Sequence, residues 1–168
     1  MLYSAKSVAN FFLAKSFASG VEVSALRLQK LLYYAQAWHF AHTNAPLIGE
    51  ALKAWEQGPV FPSLFHELSS FGMRPITRLA EDMKPDETGL MPTLTPMDAR
   101  VQVFLNNVWR AYRRLTDHEL SLRTLGPDSP WASARHANPS LVSCDISLAD
   151  LADQVTGKPA QSTAKRTP

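Results

Sequence analysis

One segment constrains the fold of this chain more than any other, because residues 24–42 predict a helix that is apolar around most of its circumference. Ser24 begins the segment and has the side chain of an N-cap. Two series at helical spacing follow side by side: Leu28, Leu31, Leu32, Ala35 and Trp38, then Gln29, Tyr33, Gln36 and Phe40. Only a narrow stripe of Arg27, Lys30 and Tyr34 is left to face solvent. We therefore expect this helix to be central in the fold.

Capping residues, prolines and glycines place other helices on both sides of this segment. Thr116 to Glu119 has the pattern of a capping box, and a proline in the first turn after Thr95 or Ser129 costs no hydrogen bond. The segments predicted to be helical are 4–19, 24–42, Pro62 to Gly72, 95–115, Thr116 to Gly126, a short helix after Ser129, and Ser147 to Val155. The apolar face of the helix at 95–115 is predicted to be Met97, Val101, Phe104, Val108, Tyr112 and Leu115.

A small β element is expected beside these helices. Ala51 to Trp55 reads as a short strand, with Ile76–Leu79 as its candidate partner, and residues 80–95 read as a loop. The predicted fold is therefore mainly α: a compact bundle of six or seven helices with a small two- or three-stranded β element. We expect it to form a single domain over residues 1–157, followed by a disordered basic tail at 158–168.

The distribution of charge argues against a nucleic-acid-binding protein. The chain has 17 basic and 15 acidic residues, and three of the basic ones lie in residues 158–168. The remainder carries a net charge of about −1. The sequence pI of about 8.8 therefore comes from the tail and not from a basic face that could bind phosphates. The single cysteine, Cys144, fits a reducing compartment, and no apolar run is long enough to cross a membrane. We therefore expect a cytoplasmic protein without membrane insertion.

Residues that could carry chemistry are present, but none of them forms a complete catalytic or metal-binding pattern. His39 and His42 are three apart, which suits two metal ligands on one helix face, but no third ligand is evident and packing or capping is favoured. His66-Glu67 begins a zinc-protease motif that fails at Ser70, and Cys144 lacks a nucleophile signature. The acids Glu81, Asp82, Asp86 and Glu87 surround Lys84 and read as a solvated charge run. We expect no enzyme activity, no cofactor and no metal.

Two stretches together resemble a known protein family. They are "LQKLLYYAQAWHFA", which begins at Leu28, and "EALKAWEQGPVFPSLFHELSSFG", which begins at Glu50. In this order they are similar to the signature of the Panacea domain, the SocA-like antitoxin family, also known as phage-associated proteins. The likeness is clear over residues 1–72 and continues loosely through 95–115 and "LGPDSPWASAR". It departs at Glu56-Gln57, where members commonly carry a basic or aromatic pair before Gly-Pro.

What the resemblance implies is a binding protein of a toxin–antitoxin system. The expected function is an antitoxin, from a bacterium or prophage, that neutralises a toxin encoded by an adjacent gene through direct protein–protein contact. The alternatives are a proteolytic adaptor that delivers the toxin to a protease and a nucleic-acid-binding transcriptional regulator.

Aromatic and arginine side chains are the candidates for contact with a partner. Trp38 falls on the strongest apolar stripe and is expected in the core. Trp55 lies just before an irregular Gly-Pro turn, where burial without partner contact is favoured and partner contact stays open. The residues that we predict to bind the partner are Trp55, Gln57, Phe65, His66, Arg110, Arg113 and Arg114.

Overall fold

The computed structural model of this chain describes residues 1–158, and it confirms a mainly α fold with a small β element. The helices of this part are α1 (Ala5–Ser19), α2 (Ala25–Thr43), α3 (Pro62–Leu68), α4 (Ala99–Tyr112), α5 (Asp117–Leu125), α6 (Pro130–Ala137) and α7 (Leu148–Thr156), with a 3-10 turn at Ser69–Phe71. The predicted disordered tail lies outside the described residues except for Lys158.

Most helices begin where the sequence predicts, because N-capping is a local interaction. The side chains of Ser4, Ser24, Thr116, Ser129 and Ser147 each accept a hydrogen bond from a backbone N–H in the first turn of their helix. The predicted capping box of α5 is complete, since the Glu119 side chain also accepts from the Thr116 N–H.

The prediction that Thr95 caps α4 is wrong. Helix α4 begins at Ala99, too far along the chain for Thr95 to be its N-cap, and the Thr95 hydroxyl lies 2.7 Å from the hydroxyl of Ser7 on α1. Asp98 caps α4 instead, and its carboxylate accepts from the Arg100 N–H at 2.7 Å. The predicted apolar face of α4 packs on the core, since Val108 and Tyr112 are buried and Met97, Val101, Phe104 and Leu115 are partly buried against it. The buried face is wider than predicted, because it also includes Leu105 and Trp109.

The strand in the predicted β element is correct, but its predicted partner is wrong. Strand β1 (Lys53–Trp55) pairs antiparallel with β2 (Gly58–Val60) on one side and with Cys144–Asp145 on the other. Gly58 adopts a φ of 132°, which a side chain would disfavour, and this lets the chain turn back at once after β1. Ile76, the expected partner, instead donates its N–H to the Val23 carbonyl.

A second hairpin occupies the segment predicted as a loop. Strand β3 (Glu81–Met83) pairs with β4 (Leu90–Pro92), and the two-residue strand Cys144–Asp145 is therefore β5 in chain order. The buried amide of Asn10 on α1 holds the base of this hairpin: it donates to the carbonyls of Ala80 and Thr93 and accepts from the Ala80 N–H at 2.7 Å. One side chain of α1 thus satisfies three backbone groups of the hairpin.

Helix α2 is central, as predicted, but the stripe assigned to solvent is buried. Lys30 is 2% exposed and Tyr34 is 3% exposed, since α4 and α5 pack over this side of the helix. The guanidinium of Arg27 bonds Asp117 at 2.8 Å, and the Lys30 ammonium donates to the Ser121 hydroxyl. The Tyr34 ring stacks on Tyr112 with centroids 4.0 Å apart. The long polar side chains of Arg27 and Lys30 can be buried because their ends find such partners, whereas the buried Tyr34 hydroxyl has no hydrogen-bond partner among the described residues.

Four charged side chains tie α1, α3 and the β3–β4 hairpin together. Lys6 lies 2.6 Å from Asp82 and 3.6 Å from Glu67, while Arg78 lies 2.7 Å from the other oxygen of Glu67. Burial by itself raises the pKa of Glu67, but hydrogen bonds from Arg78 and the Glu81 N–H, with the charge of Lys6, lower it overall. The acids of the hairpin are therefore not all free in solvent, contrary to the sequence prediction.

We expect Glu67→Gln to lower the free energy of unfolding by about 1–2 kcal/mol near pH 7. The folded-state pKa of Glu67 lies below its usual value, so the stability that it contributes is full above the unfolded-state pKa of about 4.5. That contribution disappears as the pH falls through the lower folded-state pKa. Urea unfolding at a series of pH values from neutral to acidic should show the two proteins converging.

Glu22→Gln is the matched control, because Glu22 is exposed and forms no ion pair within residues 1–158. It should change stability little at any pH. A difference between wild type and Glu67→Gln that stays constant down to acidic pH would contradict the proposed role of the ionised carboxylate.

Candidate protein-binding surface

The β1–β2 hairpin and α3 bring three predicted partner-binding residues into one aromatic cluster. The Trp55 ring lies 5.0 Å from the ring of Phe65 and 6.0 Å from that of His66, and the last two are 5.7 Å apart. Phe65 is 42% exposed, and Trp55 is half-buried. Aromatic side chains that are packed on one another yet still reach solvent are typical of protein-binding hot spots.

The two elements that carry the aromatic cluster are held by specific hydrogen bonds. The Trp131 indole donates to the Trp55 carbonyl at 2.7 Å, and the Trp55 indole donates to the Ser143 hydroxyl at 3.0 Å. The buried amide of Gln29 on α2 accepts from the Phe61 N–H at 2.9 Å and donates to the Phe61 carbonyl. Phe61 is the residue before α3, so Gln29 fixes where that helix begins.

An apolar groove opens beside the aromatic cluster, between the start of α2 and α3, and we call it the α2–α3 groove. It encloses about 390 Å³ and includes Gln57, Val60, Leu64, Leu68 and Leu125 in its lining. Three large apolar side chains at the groove are exposed to solvent, namely Leu26, Phe65 and Met73, and Met73 is 78% exposed. Contiguous exposed apolar groups of this kind mark an interaction site more often than isolated ones do.

The α2–α3 groove has one buried cation in its lining. Lys30 forms no ion pair with a carboxylate among the described residues, and its ammonium contacts the Asp117 carbonyl and the Ser121 hydroxyl. Burial lowers the pKa of the Lys30 ammonium, an effect that the nearby charge of Asp117 partly offsets.

A second groove lies on the other side of Trp55 and is lined by Gln57, Arg135, Leu141 and Val142. Its volume is about 490 Å³. Arg135 holds the wall in place by donating to the Leu141 carbonyl at 2.7 Å. Gln57 lines both grooves, so the predicted residues Trp55, Gln57, Phe65 and His66 form one surface.

The other three predicted residues do not lie on this surface. Arg110 and Arg114 are exposed on and just after α4, and they line neither groove. Arg113 is half-buried, and its carbonyl accepts a hydrogen bond from Arg27 at 2.7 Å.

His39 and His42, the candidate metal ligands, contact backbone carbonyls, and Cys144, the candidate nucleophile, is buried. Nδ1 of His39 lies 2.8 Å from the Ala45 carbonyl, and Nδ1 of His42 lies 2.7 Å from the Trp38 carbonyl, as expected for packing and capping. Cys144 is buried in β5. Within residues 1–158 no three His, Cys, Asp or Glu side chains converge as a metal site would require.

Comparison with known proteins places this chain in a family. Residues 28–132 match the family model described as "Antitoxin SocA-like, Panacea domain". The chain belongs to this family. It is also similar to the protein named Antitoxin SocA from Caulobacter vibrioides (strain NA1000 / CB15N), with 30% identity over 129 residues, which are 76% of this chain and 68% of that protein. No solved structure matches the chain.

The part that matches the Panacea domain contains both the aromatic cluster and α4. Sequence reasoning found the cluster through the aromatic residues around Gly58-Pro59, but it missed Leu26, Met73 and Val142. Leu26 and Met73 line the α2–α3 groove and Val142 lines the second groove. They come from different segments that the fold brings to this surface, so no periodic pattern could have identified them. None of the helices within residues 1–158 is long and apolar enough to span a bilayer.

We expect Gln29→Met to lower the free energy of unfolding by about 1–3 kcal/mol. The substitution keeps the approximate volume but leaves the buried Phe61 N–H without a partner, while the Phe61 carbonyl keeps its hydrogen bond from the Phe65 N–H. Gln57→Met is the matched control, since Gln57 is exposed and should change stability by less than about 0.5 kcal/mol. Chemical unfolding of both variants measures this, and equal effects would show that Gln29 does not anchor α3.

Proposed function

We propose that this Panacea-domain protein neutralises a protein toxin, encoded by an adjacent gene, by binding it directly in the cytoplasm. Membership in the antitoxin family supports the antitoxin role. The docking surface in this proposal is the aromatic cluster of Trp55, Phe65 and His66, together with Gln57 and the α2–α3 groove.

The observation that carries this proposal is the exposed apolar surface around Phe65. Leu26, Phe65 and Met73 stand at the groove, with the Trp55 ring packed against Phe65. An interface typically has such an aromatic and apolar centre surrounded by polar groups. Gln57 can serve as one of these polar groups, because its side chain is exposed.

The surface is also arranged so that binding would cost little conformational entropy. Trp55 is held at both its backbone carbonyl and its indole, and the Gln29 contact fixes α3 at the residue before its first turn. A site whose aromatic side chains are already in position loses little conformational freedom when a partner docks. The partner would then be recognised by a surface that is present before it arrives.

Co-expression with each neighbouring reading frame tests the proposed function. A neighbour that arrests growth alone, is tolerated with this chain, and co-purifies with it at a fixed ratio would support neutralisation by direct binding. Rescue with a shortened toxin half-life and no stable complex would indicate delivery to a protease. Rescue that coincides with loss of toxin mRNA would indicate a transcriptional regulator, and either result would overturn direct neutralisation.

We expect Phe65→Ala to weaken toxin binding by roughly 30-fold, which corresponds to about 2 kcal/mol for a hot-spot aromatic residue. Phe17→Ala is a closely matched control, because Phe17 is 46% exposed but lies on α1, away from the aromatic cluster. Isothermal titration calorimetry with the purified toxin measures the dissociation constant of each variant. Equal weakening by the two variants would contradict the assignment of the surface, while the antitoxin role would still be tested by rescue.

A further inference from the structure

The exposed side of α4 carries a continuous row of residues at alternating spacings of three and four. The row consists of Arg100, Val103, Asn107, Arg110 and Arg114, and all five are exposed. This spacing keeps the side chains on one side of a helix, and Arg114 extends the row two residues past the end of α4. We call these five residues the arginine row. Arg113 is not part of it.

The arginine row forms no ion pair with the acidic residues that flank it in sequence. Asp98 lies two residues before Arg100 and Asp117 three residues after Arg114, with no acidic residue between Ala99 and Thr116. The Asp98 carboxylate accepts from the Arg100 N–H as the cap of α4, and the Asp117 carboxylate pairs with Arg27. Within residues 1–158 every ion pair uses Lys6, Arg27, Lys53 or Arg78, so no arginine of the row is paired with a carboxylate. The three guanidinium groups are therefore available to an external acidic group.

An apolar groove runs along the same side of α4 and shares residues with the row. This α2–α4 groove encloses about 450 Å³ between Trp38 on α2 and the side chains of Phe104, Val108 and Ala111 on α4. Arg100, Val103 and Asn107 belong to its lining as well. Val103 is 61% exposed, so an apolar side chain lies between two arginines of the row.

The walls of the α2–α4 groove are fixed by contacts between the two helices. The Trp38 indole donates to the Tyr112 hydroxyl at 2.8 Å, and Tyr112 stacks on Tyr34 with centroids 4.0 Å apart. His42 stacks on the Trp38 ring at 5.6 Å. The groove therefore exists before any partner is present, which lowers the conformational cost of binding.

We propose that the arginine row and the α2–α4 groove form a docking surface for an acidic amphipathic helix of a protein partner. The apolar side chains of that helix would enter the groove, and its carboxylates would face Arg100, Arg110 and Arg114. Charge complementarity selects an acidic partner, and guanidinium groups suit carboxylates because they bind them in a bidentate manner. An amphipathic helix suits this surface, because it can lay its apolar face in a groove and present its charged side chains beside it.

A protein partner fits this surface better than nucleic acid does. Phosphate contacts need cations but make no use of an apolar groove, and three arginines would neutralise only a few phosphates. The surface shares no residue with the aromatic cluster or the α2–α3 groove. It is therefore a second binding site, beyond the one proposed for the toxin.

The test uses a fluorescently labelled peptide designed as an amphipathic helix of about 18 residues, with leucine on one face and glutamate beside it. Fluorescence anisotropy with the full chain should show saturable binding that weakens as salt is raised. The triple variant Arg100→Gln, Arg110→Gln, Arg114→Gln should bind at least about tenfold more weakly, since each exposed charge pair contributes a modest amount. Ala111→Glu, which places an acid at the groove, should weaken binding by a similar factor.

The matched control removes the same number of charges elsewhere, through Lys15→Gln, Arg74→Gln and Lys84→Gln. It should bind the peptide nearly as well as wild type does, with circular dichroism showing that all variants are folded. The proposal is overturned if the control loses as much affinity as the triple arginine variant, or if a peptide with glutamine in place of glutamate binds equally well. It is also overturned if a DNA duplex binds through the arginine row and displaces the peptide. No toxin is needed, so the outcome is independent of the proposed function.

Discussion

Buried amide side chains that bond the backbone of irregular segments hold this fold together. Asn10 on α1 bonds both Ala80 and Thr93, Gln29 bonds Phe61, and Gln36 accepts from the N–H groups of Leu47 and Ile48 while donating to the Ile48 carbonyl. A buried backbone group without a partner is costly, and short loops cannot satisfy their own groups. These amides therefore decide where the β3–β4 hairpin, the start of α3 and the segment after α2 can lie.

This arrangement separates the residues that build the domain from those that are left to bind. Gln29, Lys30, Tyr34 and Gln36 belong to the stretch that carries the family resemblance, yet all four are buried. Their role is to position the elements around α2. What remains at the surface is a set of apolar and charged groups on rigid supports, so a change among these groups would alter what the surface can bind without disturbing the fold.

The parts of the fold that depend on neighbours in sequence were predictable, and those that depend on distant residues were not. Thr116 forms its capping box with a residue three positions away, so the pattern alone identifies it. Thr95 has equally good local chemistry but bonds Ser7 on another helix, and the exposure expected for Lys30 failed because α5 covers it. The candidate site follows the same division. Trp55 and Phe65 were found from the aromatic residues around a turn, whereas the neighbouring groove depends on segments that meet only in the folded chain.

Hydrogen exchange with mass spectrometry, on this chain alone and bound to the toxin identified by co-expression, tests the central claim most directly. The account predicts that toxin slows exchange in residues 53–68, which carry the aromatic cluster and α3, and leaves the β3–β4 hairpin at residues 81–92 unchanged. A stable complex that protects the hairpin and leaves residues 53–68 exchanging as in the free chain would contradict it.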